Sequence, residues 1–268
     1  MKQRTVISST SNAQVKNLGL LQKKAKERDK QGVFVIEGIK MFEEAKEAGL
    51  LQKAYASESF YLERLREKPG YFDDLEYEVL TDSVFKEASD TKTPQGIMGL
   101  VSKPRYSLED MLRCREACLM LLEDIRDPGN LGTIIRTAEG AGVTGVVLSD
   151  SSVDICNPKV IRATMGSIYR MPFYQADDFY DVLRMVKDQG IVIYAAHLQG
   201  IPYDTEWSFR ERCAFLIGNE ANGLSDRAAV CADTWIRIPM KGRVESLNAA
   251  VAAAILMYEA ARQRNLKK

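Results

Sequence analysis

The stretch CLMLLEDIRDPGNLGTIIRTAEGAGVTGVVLSD, residues 118–150, decides how the chain is read. Its opening run, CLMLL, is short, uncharged and apolar throughout, the profile of a strand buried on both faces. Turn-forming Asp127, Pro128 and Gly129 follow, then a helical stretch at about 130–141 and a second apolar run, GVVLSD. Strand, loop, helix and strand make the unit from which parallel sheets are built, and such a loop often holds a nucleotide phosphate. The glycines do not suit that ligand. Gly129, Gly132, Gly140 and Gly142 match neither GxGxxG nor GxxxxGK[ST]. Asp150 closes the second run about where a ribose-binding carboxylate would stand, so a dinucleotide remains an alternative.

Downstream the alternation continues. GIVIYAAH, CAFLIGNE and TWIRIPM read as strands, and helices are expected at about 157–165, 178–188, 224–231 and 247–264. This order predicts an α/β domain with a doubly wound parallel sheet and ligands at the strand C-termini. Upstream, Val15, Leu18, Leu21 and Ala25 share a helical face. VFVIEG is a strand, and a helix through Met41, Phe42, Ala45 and Ala48 ends near Gly49. LLQKAYAS, YEVLTD and GIMGLV are further short strands. The polar, Pro104-containing segment KPRYSLEDM is the best linker, which gives domains over 1–105 and 106–268.

The 268 residues, 46% hydrophobic and 28% charged, are those of a soluble globular protein. No apolar run approaches the roughly 20 residues that span a bilayer. The N-terminus lacks an apolar signal region, so no membrane is expected and the cytoplasm is the default location. Five cysteines form no CxxC pair and His197 is the sole histidine, so no metal is expected. The formal charge is zero but unevenly spread. Residues 1–30 carry eight basic side chains (Lys2, Arg4, Lys16, Lys23, Lys24, Lys26, Arg28 and Lys30) against Glu27 and Asp29. Such a segment is a candidate nucleic-acid footprint, although a solvated helix face explains it equally well.

Three strand ends gather polar residues. Asn130 fits a helix N-cap or the position before it, and Arg136 lies on the helix that follows. FLIGNEANGLSD places Gly218, where a ligand could approach the backbone, beside Asn219, Glu220, Asn222 and Gly223. A surface turn explains Asn222-Gly223 and Ser225, but not a carboxylate at a strand's C-terminal end. IPMKGRVESLNAAVAAAI places Ser246 as the expected cap of a long Ala-rich helix, with Asn248 in its first turn. GxSxG is absent, so an α/β-hydrolase nucleophile has no support.

Together NLGTIIRTAEGAGV, LIGNEANGLSD and IPMKGRVESLNAAVAAAI closely resemble the three motifs of the SpoU-type RNA 2′-O-ribose methyltransferases of the SPOUT superfamily. NAQVKNLGLLQKK, FVIEG and TPQGIMGLV are similar to that family's RNA-binding domain. The resemblance implies a C-terminal α/β domain with a deep trefoil knot, preceded by a smaller α/β RNA-binding domain. It implies S-adenosylmethionine as methyl donor, no metal, a homodimer, and RNA as partner, ribosomal ahead of transfer RNA. Asn130, Arg136, Glu220, Ser246 and Asn248 match the family's site residues. Glu220 is expected to fix Arg136 or a neighbouring donor. Leu198, Leu216, Gly218, Ile238, Met240 and Leu247 match its donor-binding positions. The alternative is an RNA-binding protein that keeps the fold without the activity.

Overall fold

The computed structural model describes residues 6–205 and 207–265. Lys2 and Arg4 of the basic segment lie outside the described residues. The chain divides into two compact units: one runs to Pro104 and includes Asp154–Tyr169, and the other holds Arg105–Val153 and the chain from Arg170 onward.

The first unit opens with helices α1 (Ala13–Lys23) and α2 (Ala25–Gln31). Asn12 caps α1 by accepting the Gln14 N–H at 2.8 Å, and Val15, Leu18 and Leu21 are buried as their spacing predicts. Ala25 departs from that stripe: Lys24 is extended (φ −122°), so the helix breaks there and Ala25 is exposed. Strands β1 (Val33–Glu37), β2 (Leu51–Ser57), β3 (Tyr77–Leu80) and β4 (Ile97–Ser102) form a mixed sheet in the order β1-β4-β2-β3. Helices α3 (Ile39–Glu47), α4 (Glu58–Glu67) and α5 (Asp82–Ala88) connect them.

The second unit begins with α6 (Leu108–Arg113), β5 (Cys118–Leu122), α7 (Pro128–Ala141) and β6 (Gly145–Leu148). The second unit is interrupted in sequence, because α8 (Pro158–Thr164) packs on β1 and belongs to the first unit. Just ahead of α8 lies an ion pair that sequence spacing does not reveal. Arg28, 3% exposed, donates from Nε to Asp154 Oδ2 at 2.7 Å. Arg28 is therefore unavailable to RNA, whereas Lys16, Lys23, Lys24, Lys26 and Lys30 are exposed.

The second unit continues with β7 (Phe173–Gln175), α9 (Phe179–Asp188), β8 (Val192–Pro202), β9 (Cys213–Ile217), α10 (Asp226–Ala229), β10 (Thr234–Arg237) and α11 (Ala249–Asn265). Its six strands are parallel throughout, in the order β10-β8-β9-β5-β6-β7. Successive connections leave β5 and β9, which are neighbours, in opposite directions, so the switch point of the sheet lies between them. From edge strand β10 the chain returns to pack α11 against α7 and β9. Arg264 fastens the far end of α11, donating to the carbonyls of Phe209, Glu116, Ala117 and Glu211. Among the described residues no helix is long and apolar enough to cross a membrane, and all five cysteines are free.

Candidate functional site

The loops after β5 and β9 and the approach to α11 converge through side-chain hydrogen bonds. Asp127, not Asn130, caps α7: its carboxylate accepts the Asn130 N–H at 2.8 Å, with Pro128 opening the helix. Asn130 is thereby released from capping. Its Nδ2 donates to Glu220 Oε1 at 3.0 Å, and its Oδ1 accepts from Asn248 Nδ2 at 2.8 Å. Glu220 also accepts the backbone N–H groups of Asp127 (3.1 Å) and Arg126 (3.2 Å). Burial alone would raise the Glu220 carboxyl, but the donations from Asn130, Asp127 and Arg126 outweigh it and hold the group below the usual carboxylate range.

The cap of α11 is also corrected. Asn248, not Ser246, accepts the N–H groups of Ala250 (2.9 Å) and Val251 (3.3 Å). One side chain thus caps a helix with its oxygen and reaches Asn130 with its nitrogen. Ser246 lines the adjacent cavity instead. Arg136 is not drawn into this cluster. It lies away from the buried stripe of α7 formed by Leu131, Ile134, Ile135 and Ala138, and among the described residues it has no hydrogen-bond or ion-pair partner. Of the two partners expected for Glu220, the structure supplies Asn130.

A cavity of about 630 Å³ opens beside the cluster. Leu198, Gly218, Ile238, Met240 and Leu247 line it, as do Ala249, Ala252 and Leu256 of α11. Leu216 does not. It is fully buried inside the sheet, in register with Leu121 of β5 and Ala195 of β8. Gly218 is required by the chain as well as by any ligand. A Cβ there would sit 2.3 Å from Gly223 C and Leu224 N, where the Asn219–Gly223 loop closes through Asn219 N–H to Gly223 O at 3.0 Å. The opposite wall comes from a break in pairing: Trp235 pairs with Ala195, but Ile236 pairs with Ile201. The intervening residues 196–200 bulge outward and carry His197 and Leu198 to the cavity.

Asn219 is a site residue that the sequence named without giving it a role. Its Nδ2 donates to the Asp124 carbonyl at 2.8 Å, and its Oδ1 accepts the N–H groups of Ala221 and Asn222. It thus ties the β5 loop to the β9 loop, and the positive φ of Asp124 (55°) turns that carbonyl toward it. A second cavity of about 770 Å³ shares Asn219, Asn222 and Gly223 with the first. It reaches across β5, β6 and α9 and is lined by Glu123, Asp124, Asp150, Asp177, Asp178 and Asp226, with Arg126 and Arg227. Among the described residues no group of three or more His, Cys, Asp or Glu side chains could hold a metal ion.

Comparison with known proteins gives this geometry its context. The SpoU rRNA Methylase family model matches residues 117–258, and the MRM3-like substrate binding domain model matches residues 12–99. The chain is 35% identical to the 23S rRNA (guanosine(2553)-2′-O)-methyltransferase RlmP of Bacillus subtilis, over 94% of this chain and 97% of that protein. It is 32% identical to human mitochondrial rRNA methyltransferase 3, over 88% of this chain and 69% of that protein. An AdoMet-bound rRNA methyltransferase structure from Sinorhizobium meliloti superposes with a TM-score of 0.82 at 30% identity, covering 97% of this chain and 98% of that one. The chain belongs to the SpoU rRNA methylase family.

Proposed function

We propose that this enzyme transfers the methyl group of S-adenosylmethionine to a ribose 2′-hydroxyl of ribosomal RNA, with the donor in the 630 Å³ cavity and the nucleotide facing Asn130 and Arg136. The observation that carries this reading is the Asn130–Glu220–Asn248 chain of hydrogen bonds at the cavity's edge. It joins three motifs far apart in sequence at one place. The names of the bacterial and human relatives, and of the AdoMet-bound structure, support the donor and the RNA class. The cavity suits adenine, which needs apolar walls and a few backbone partners. Leu198, Ile238, Leu247 and Leu256 give the walls, and the backbone at Gly218 gives close approach.

The sulfonium makes the methyl carbon electrophilic, so the protein's task is orientation and handling of one proton. The ribose oxygen attacks in line, the O–CH3 bond forms as the S–CH3 bond breaks, and the hydroxyl proton leaves to solvent. Arg136 is a poor base, because a guanidinium holds its proton too firmly to accept another. Its partner-free, exposed position suits a different role: holding the nucleotide's phosphate and polarising the attacking oxygen. Glu220 stays ionised and orders Asn130, while Asn248 ties both to the helix that walls the donor cavity. Ser246 shapes the loop between them.

In this reading the C-terminal segment is threaded as a deep trefoil knot, which the return of α11 from edge strand β10 to α7 supports. The working form is a homodimer. Exposed Val251 and Tyr258 on α11 offer apolar surface for a second copy. The first unit binds RNA through Lys16, Lys23, Lys24, Lys26 and Lys30, and the enzyme works in the cytoplasm. The test is transfer of labelled methyl from S-adenosylmethionine to unmodified ribosomal and transfer RNA, followed by alkaline hydrolysis. A methylated 2′-oxygen cannot attack the neighbouring phosphate, so label in alkali-resistant dinucleotides of ribosomal RNA is expected. Label in mononucleotides would mean base methylation and overturn the placement of Arg136.

A further inference from the structure

The apolar cavity holds two charges that the fold does not use. Arg237, at the end of β10, and Glu245, in the loop entering α11, both line it. Among the described residues neither side chain has a hydrogen-bond or ion-pair partner, not even each other. The other ionisable groups on the wall are committed. Glu220 accepts from Asn130 and two backbone N–H groups. His197 accepts the Gln199 N–H on Nδ1 and stacks on Trp235 at 4.1 Å.

Placement at the wall is not accidental. Arg237 closes β10 between Ile236 and Ile238, which line the same cavity, and its carbonyl accepts the Tyr203 N–H at 3.0 Å. Glu245 immediately precedes Ser246 and Leu247, which line the same cavity. A guanidinium and a carboxylate without partners, at the edge of apolar walls, fit a ligand with an apolar body and a zwitterionic end. S-adenosylmethionine has that form: an adenosine, and an amino-acid end bearing a carboxylate and an ammonium.

Resting on the reading of this cavity as the donor site, we propose that Arg237 and Glu245 are positioning residues for the amino-acid end of the donor. Arg237 takes the carboxylate and Glu245 the ammonium. With adenine held between apolar walls and the far end held by charge, the S–CH3 bond between them has one direction left to point. Fixing that direction is the orientation in-line transfer requires. The same two contacts persist in the product, S-adenosylhomocysteine, which keeps the amino-acid end and loses the methyl group and with it the sulfonium charge.

The test is calorimetric binding of two ligands to the full chain: S-adenosylhomocysteine, and 5′-methylthioadenosine, which lacks the amino-acid end. Arg237→Ala and Glu245→Gln should each weaken S-adenosylhomocysteine about tenfold and methylthioadenosine less than about twofold, as expected for loss of one charge-assisted hydrogen bond. Arg237→Lys should recover part of the loss, since it restores the charge without the planar fork. Equal losses for both ligands, or unchanged binding of S-adenosylhomocysteine, would overturn the proposal. Leu198→Trp separates it from the reading beneath it. That exposed wall residue, enlarged, should exclude both ligands. If both still bind, the donor sits elsewhere and the cavity assignment itself fails. If both are excluded while Arg237→Ala and Glu245→Gln bind normally, only the present inference fails.

Discussion

The two cavities at the strand ends share a partition, the Asn219–Gly223 loop, and differ in almost everything else. The larger lies over the ends of β5 and β6 and beside α9. Here six carboxylates line it against two arginines, and such a surface repels phosphate. The smaller, over β8, β9 and β10, is walled by apolar side chains and a helix of small residues. A parallel sheet therefore determines that ligands collect at its strand C-termini. Which side of the switch point they use depends on the side chains placed there. The acidic side disfavours the dinucleotide alternative, and Asp150 is one carboxylate of that wall.

The contrast can be broken most severely at the partition. Gly218→Ala should displace the Asn219–Gly223 loop, because the added Cβ would lie 2.3 Å from backbone atoms. A stability loss of about 1–3 kcal/mol, with donor binding abolished, is expected from melting and calorimetry. Retained donor affinity would show that the loop does not shape the cavity. Arg136→Ala sharpens the division between holding the donor and using it. Turnover should fall about tenfold or more while donor affinity stays within about twofold, as for loss of a charge acting at the reacting oxygen. Wild-type turnover would remove Arg136 from the reaction. Asn248→Ala removes the α11 cap and the link to Asn130 together, and should cost about 1 kcal/mol in denaturant unfolding.

Smaller effects follow from charge. Glu220 is held below the usual carboxylate range, so its stabilising contribution is complete above its unfolded value, near pH 4.3, and is lost as pH falls through the lower folded value. The melting advantage of the wild type over Glu220→Gln should therefore be flat from neutrality to about pH 5 and vanish in stronger acid. An advantage that disappears near pH 6 would assign the effect to another group. Least of all should change when the acidic side is neutralised. Asp150→Asn with Asp177→Asn is expected to shift donor affinity by less than about twofold, given the weak reach of exposed charges in salt.

Much of this architecture can be read from local pattern, and its failures share one cause. Runs such as CLMLL and CAFLI are buried on both faces and declare themselves as parallel strands. β7 has only three residues at the edge of the sheet, too few to show a period. Local pattern does not separate the true caps of α7 and α11 from their neighbours, because Asp127, Asn130, Ser246 and Asn248 all have side chains that can cap. Geometry, not residue type, decides between them. Asp154, just ahead of α8, pairs with Arg28, 126 positions away. That separation leaves no local trace. Motif likeness implies that Asn130, Glu220 and Asn248 belong to one site; it carries no trace of their hydrogen-bond order.

The position of α11 in chain order sets a schedule for biosynthesis. Both earlier loops of the site precede it, yet Asn248 supplies the last link of the cluster and Ala249, Ala252 and Leu256 the last wall of the cavity. Its far end is fastened only when Arg264 reaches the carbonyls around Glu116 and Phe209. A nascent chain can thus fold its first unit and start its parallel sheet while still being translated. It cannot complete the cavity until α11 is free to dock.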